Sequence, residues 1–361
     1  MKSVCRGWLP MGAFVAALLV PAGPALAQKG KEGEPVKITT VDGVDLHGSF
    51  YASPKKDAPT VIVLHKIGEP ALNRKDYKGL AEKLQPYCSV MLFDFRGQGR
   101  SRDIDATKFW SEPFNKQHVK GAPKKMTLEL ADIKDKAAYY PAMVNDIAAV
   151  KAWLDRKNDG GACNTSSTIL IGAEDGATLG AIWLNSQWAL HRGIPNPNIA
   201  LATMPNPTAE GKDVIACVWL SISPTLGGGK VSLVKTLNSA VKANATGSVF
   251  VYGEKDNDGK NLALNLKKDL IDPADKKKYT FVTEYEVENT NLKGINLATV
   301  RADKIIEYLE VVVDKKGGEA VKRDFRNKQY YWRIAGQYHP AKAPLDDSNL
   351  VFQDYRGYLF K

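Results

Sequence analysis

The stretch Thr168 to Trp183, TILIGAEDGATLGAIW, limits the folds open to this chain more than any other. Thr168-Ile169-Leu170-Ile171 is a short, apolar, partly β-branched run, which reads as a buried strand. Gly172-Ala173-Glu174-Asp175-Gly176 follows at once, and beyond it Ala177, Leu179, Gly180, Ala181 and Ile182 are small or apolar. A helix packed tightly on a sheet needs such residues. A strand that turns into a helix this abruptly strains its central residue, Glu174. Glycine on each side lets the two elements approach closely.

The flanking segments continue the alternation. Val36 to Tyr51 has two alternating runs about Asp42-Gly43, a hairpin signal. Thr60 to Leu64 and Ser89 to Phe93 are continuous apolar runs, as in parallel strands buried on both faces. Asp213 to Ser221, Ser248 to Tyr252 and Tyr279 to Val287 read as later strands. Lys75 to Leu84, Ala137 to Asp155, Leu233 to Ala243, Asn261 to Leu270 and the segment after Gly294 through Val313 read as helices. Residues 102–136 lack clear periodicity and read as an excursion over one end of the sheet. The pattern predicts an α/β fold with a doubly wound, mostly parallel sheet and helices on both faces. Right-handed crossovers bring the strand ends, and the loops after them, to one edge.

Four segments after predicted strands carry a resemblance to the α/β-hydrolase superfamily, of the dienelactone-hydrolase and esterase kind, over roughly Val36 to Asp314. They are His65 with Lys66-Ile67-Gly68; Asp94-x-Arg96-Gly97-x-Gly99-x-Ser101; the turn Gly172-x-Glu174-x-Gly176; and Gly253-x-x-Asp256. The turn resembles the nucleophile elbow G-x-S-x-G. The resemblance implies a triad in the chain order nucleophile, acid, His. Carried over residue by residue, the nucleophile position is Glu174. The acid position is Asp256, with Asp258 its neighbour. The His position is Lys293, in Lys293-Gly294 where the family has His-Gly. Lys66 stands where the oxyanion loop has Gly, and Asp175 where the family's oxyanion-hole amide lies.

These departures remove the chemistry. Serine attacks only when an imidazole poised near neutral pH takes its proton. Lysine titrates near ~10.4 and stays charged beside carboxylates. Glutamate is a methylene longer than the aspartate nucleophile of related dehalogenases, and even ~1 Å matters to rate. The expectation is a degenerate triad in which Glu174, Lys293, Asp256 and Lys66 form a compensated ion cluster, either a structural filler or a site for a small polar or anionic ligand. Breaking a truly buried pair costs ~3–5 kcal/mol. The alternative is an active hydrolase of esters or related bonds, built on Glu174 or Asp175 with His65.

Other features bound the cell biology. Lys2 and Arg6, the apolar run Met11 to Val20 and Ala25-Leu26-Ala27 read as a signal peptide over residues 1–27, followed by a linker over 28–35. This predicts export to the periplasm or beyond, with no stable membrane span in the mature chain. Three cysteines then remain, and Cys88 and Cys163, each just before a predicted strand, are candidates for one disulfide. Cys217, within an apolar strand, reads as an inert core residue. No Cys/His set has zinc-ligand spacing. No cofactor is implied, and Lys255-Asp256-Asn257-Asp258 lacks the full calcium pattern.

The net charge of +10 reads as solvated surface, or as attraction to an anionic envelope component. No motif points to nucleic acid. Phe109, Trp110 and Phe114 line a pocket mouth or fill a satellite core. Residues 315–361, aromatic at Tyr330, Tyr331, Trp332, Phe352, Tyr355 and Tyr358, read as a C-terminal extension packed on the domain or as a docking surface.

Overall fold

The computed structural model describes residues 32–193, 208–242, 246–271, 274, 280–323, 329–334 and 337–341. Residues 1–27, expected to be a signal peptide, Lys276 to Lys278 and the aromatics beyond residue 341 lie outside the described residues.

β1 (Glu34–Thr39) and β2 (Asp45–Tyr51) form the first hairpin, and β3 (Pro59–Leu64), β4 (Ser89–Phe93) and β5 (Asn164–Ala173) follow. β6 (Leu190–Gly193) and β7 (Thr208–Ala209) leave this layer, and β8 (Val214–Leu220) returns to it. β9 (Thr225–Leu226) and β10 (Gly229–Lys230) make a short hairpin before β11 (Gly247–Gly253) and β12 (Val282–Val287). β13 (Gln329–Ile334) and β14 (Gln337–Ala341) come last.

The main sheet has eight strands in the order β1-β2-β4-β3-β5-β8-β11-β12. β1, β2 and β4 are joined antiparallel, and every pairing from β4 through β12 is parallel. Alternation along the strands splits the core in two. Ile62, Leu64, Leu170 and Trp219 face one layer, while Val61, Val63, Ile169, Ile171 and Val218 face the other. Helices Val144–Asp159, Asp175–Ala189, Leu233–Lys242 and Asn257–Leu270 cover the first face. Helices Lys75–Leu84, Ile295–Val300 and Ala302–Lys316 cover the second.

This is the doubly wound, mostly parallel sheet expected from the sequence. The chain passes from β3 outward to β4, then back across β3 to β5. The helices after β3 and β5 therefore lie on opposite faces. Their loops part at the carboxyl ends of these two strands, where such sheets open a crevice.

Residues 102–136 hold more order than their sequence shows. Helices Ala106–Ser111 and Pro113–His118 are capped by Asp105, which accepts from Thr107 N at 3.0 Å, and by Glu112. Six-residue helices are too short for hydrophobic periodicity to appear. Phe109, Trp110 and Phe114 are buried in the core of the first face, and none of them lines a pocket mouth.

The disulfide expected between Cys88 and Cys163 does not form. All three described cysteines are buried free thiols. Cys88 packs on one face of the sheet and Cys163 on the other, so the sheet stands between two residues that share an end of it. Burial pushes the Cys88 thiol up to about 12 and the Cys163 thiol up to about 11.

The segment after helix Ala302–Lys316 crosses to the start of β5. Asn164 Nδ2 donates to Gly318 O at 2.7 Å, and Val321 N donates to Ser166 Oγ at 3.1 Å. The Arg323 side chain, 3% exposed, reaches Asp213 at 2.6 Å. β13 then pairs with β6 in a second sheet of order β14-β13-β6-β7, burying Tyr330 and Tyr331.

Candidate functional site

The turn after β5 has the strained geometry its sequence implies. Glu174 sits at φ 49°, ψ −116°, a region that non-glycine residues rarely enter. Its amide donates to Leu220 O at 2.9 Å, and its carbonyl accepts from Ala177 N at 3.1 Å and Ser223 N at 3.3 Å. The flanking glycines are sterically required. A Cβ on Gly172 would lie 2.5 Å from Ala177 Cα, and one on Gly176 would run into His65 O.

The loop after β3 meets this turn. His65 is fully buried, and its Nε2 accepts from Phe95 N at 2.9 Å. The ring proton of the neutral form therefore lies on Nδ1, which faces Lys66 O at 2.7 Å. Burial also lowers its pKa. Both nitrogens are committed to backbone and the ring lines neither cavity at this edge, so His65 is not placed to act as a base. The constellation of His65 with Glu174 or Asp175 is thereby removed.

The next amides are also taken. Lys66 N donates to Tyr77 Oη at 3.3 Å, and Gly68 N donates to the Gln98 side chain. Ile67 N donates to Asp175 Oδ1 at 2.8 Å. An anion from the protein itself thus occupies a loop amide beside the elbow, where hydrolases of this fold draw an oxyanion-hole donor. Burial is the main reason that the Asp175 carboxyl is pushed up to about 6. Glu174 adds to the rise, and the Ile67 amide opposes it.

The charges expected as one cluster stand as two pairs. Glu174 Oε2 takes Lys66 Nζ at 3.1 Å, and Lys66 also reaches Glu69 at 3.4 Å. Glu69 pairs on with Arg74, which holds Asp76 at 2.8 Å. Lys293 instead pairs with Asp256 Oδ1 at 2.9 Å. The backbone explains the split: Gly294 approaches Glu174 so closely that a Cβ on it would lie 2.9 Å from Oε1, while the Lys293 ammonium reaches Asp256. Both lysines stay charged. Burial works against Lys66, but Glu174 and then Glu69 outweigh it and raise its pKa. The hydrogen bond to Asp256 raises that of Lys293.

Of the four side chains only the Asp256 carboxylate is enclosed, at 4% exposed. The side chains of Lys293, Lys66 and Glu174 are 50%, 36% and 24% exposed. Replacing Lys293 by methionine is therefore expected to cost about 1 kcal/mol or less, the range of solvent-screened pairs. A urea titration checks this, and a loss of 3 kcal/mol or more would restore the buried-cluster reading.

Asp256 has a local role that the sequence comparison missed. It is the N-cap of helix Asn257–Leu270 and accepts from Gly259 N at 3.2 Å, as an aspartate before a helix should. Asp258 is exposed in the first turn and lines neither cavity, so it is not a pocket residue.

Glu174 divides two cavities. One, of about 310 Å³, is lined by Lys66, Glu69, Arg74, Tyr77, Glu174 and Lys293, among others. The other, of about 420 Å³, lies under the β9–β10 hairpin and is lined by Ile67, Tyr140, Glu174, Asp175, Lys136 and Gly227, among others. Gly227 and Gly228, both at positive φ, form the turn of that hairpin, and Gly229 opens β10. Among the described residues, no group of three His, Cys, Asp or Glu side chains is arranged to hold a metal ion. No helix there is long and apolar enough to cross a membrane.

The motif residues behind the site were visible in the sequence, but their buried pairing was not. Arg96, fully buried, binds Asp42 at 2.7 Å and Asp146 at 2.7 Å, and Asn115 donates to Asp42 at 2.9 Å. Asp94 accepts from Leu72 N at 3.0 Å and Arg100 N at 3.1 Å, and Ser101 Oγ accepts from His47 N at 2.9 Å. The Asp94-to-Ser101 motif is therefore a scaffold that carries Gln98 to the Gly68 amide. Ser101 is a turn residue of that scaffold.

No family model matches the chain. No curated protein matches it either. Among solved structures, an esterase from Pyrococcus furiosus superposes with a TM-score of 0.50 at 13% identity, over 80% of this chain and 92% of its own. A dienelactone hydrolase from Anabaena variabilis gives a TM-score of 0.48 at 12% identity, over 79% of this chain and 99% of its own.

Proposed function

We propose that this chain, which has the α/β-hydrolase fold, is an exported protein that binds a small polar or anionic ligand at its elbow edge and does not hydrolyse one. The observation that carries the reading is the hydrogen bond from Ile67 N to Asp175 Oδ1. An acyl-transfer site must offer that kind of donor to a developing negative charge, and one lost donor forfeits ~10²–10³ in rate. Here a carboxylate is already on it. The rest of the edge agrees. Glu174 is held by Lys66 on the elbow, Lys293 stands at the His position, and His65 is locked in the core.

On this reading, a panel of short-chain aryl esters is turned over no faster with the protein than without it. A serine-directed covalent probe labels nothing, and Glu174→Ala leaves both results unchanged. Ester turnover above background that vanishes in Glu174→Ala would overturn the reading. Export is tested separately, by cell fractionation and N-terminal sequencing of the mature protein, with Gln28 expected as the first residue.

A further inference from the structure

We propose that the ligand of the 310 Å³ cavity is a zwitterion, a small α-amino acid or dipeptide, with its ammonium on Glu174 and Glu69 and its carboxylate on Lys293 and Lys66. The inference rests on the binding reading above and adds the ligand's charge pattern. One wall carries alternating charges: Glu174, Lys66, Glu69 and Arg74, each paired with the next. Lys293 lines the cavity too, held at 2.9 Å by Asp256. A simple anion meets Lys293 but also the field of Glu174 and Glu69. A simple cation meets the reverse. Only a molecule carrying both charges a few bonds apart gains from both.

The donor inventory agrees. An ammonium has three N–H groups. Lys293 gives one to Asp256, and Lys66 divides two between Glu174 and Glu69. Donors therefore remain for a ligand carboxylate without breaking either pair. Tyr77 and Asn296 add polar groups to the same lining. At about 310 Å³ the cavity has room for a ligand of this size. The cavity is part-open, so these interactions are screened by salt.

The test uses four probes on the full mature chain, paired by size: L-alanine with alaninamide, and Ala-Ala with N-acetylalanine. Calorimetric titration at low salt is expected to show binding of alanine or Ala-Ala. Alaninamide, which lacks the carboxylate, and N-acetylalanine, which lacks the ammonium, should each bind at least tenfold more weakly. Glu174→Gln and Lys293→Met, both monitored for folding by circular dichroism, should each weaken the zwitterion at least tenfold. Equal or tighter binding of N-acetylalanine, insensitive to Glu174→Gln, would overturn the zwitterion and leave an anion site, so the broader reading would survive. Preference for alaninamide, or no binding by any probe, would also overturn it. Failure of the broader reading shows differently, as ester turnover dependent on Glu174.

Discussion

Arg96→Met is expected to destabilise the protein by about 3–5 kcal/mol, the largest loss of any single substitution considered. The guanidinium is fully buried and bonded to two fully buried carboxylates, Asp42 and Asp146. Methionine fills much of the volume but leaves both anions without a counter-charge, and a buried unpaired charge is what makes such losses large. The effect should reach the site. Arg96 belongs to the loop whose Gln98 accepts from Gly68 N, so loosening it frees the segment carrying Lys66 and Glu69. A fall in the urea midpoint at constant slope is the expected readout. Adding Asp42→Asn and Asp146→Asn should recover part of the loss, because the penalty is the orphaned charge. A loss under about 1 kcal/mol would show that water or rearrangement supplies what the guanidinium gave.

Asp175→Asn should act in the opposite direction and depend on pH. The carboxyl ionises at 3.8 when unperturbed and at about 6 in the fold. A raised folded pKa means the native state holds the proton more tightly than the unfolded chain. Ionisation therefore costs the fold nothing below about pH 3.8. The cost grows between there and about pH 6, and is constant above it. At 1.36 kcal/mol per unit, the full cost is about 3 kcal/mol. Asparagine keeps an oxygen for the Ile67 amide and carries no charge. The variant should be up to about 3 kcal/mol more stable than wild type at pH 7.5 and nearly equal to it at pH 4. Chemical denaturation at the two pH values checks this, and a difference independent of pH would defeat it. A carboxylate held at such a cost, beside Glu174, is explained by the site better than by stability.

The fold was legible because it rests on patterns within single segments. Apolar β-branched runs at Thr60, Ser89 and Thr168, separated by helical spacing, carry their own burial requirement wherever they sit. The elbow was equally clear, since only glycine fits at positions 172 and 176. Residues 102–136 were opaque because their helices are stabilised by caps and a borrowed core, and neither produces a periodicity. The cysteine pairing failed for a related reason. Shared position along a sheet says nothing about which face a side chain takes, and the face separated Cys88 from Cys163.

By itself the sequence determined the layered α/β architecture, the edge where the strand ends gather, and that a glutamate and not a serine stands at the strained turn. Those follow from side-chain type and local spacing, which no tertiary contact alters. Only the tertiary structure decided who pairs with whom: Glu174 with Lys66, Lys293 with Asp256, and Asp175 with the Ile67 amide. Ion pairs and amide contacts turn on distances of an ångström or two between loops far apart in the chain. Those distances are set by how the backbone of Gly294 and the loop after β3 close around the turn.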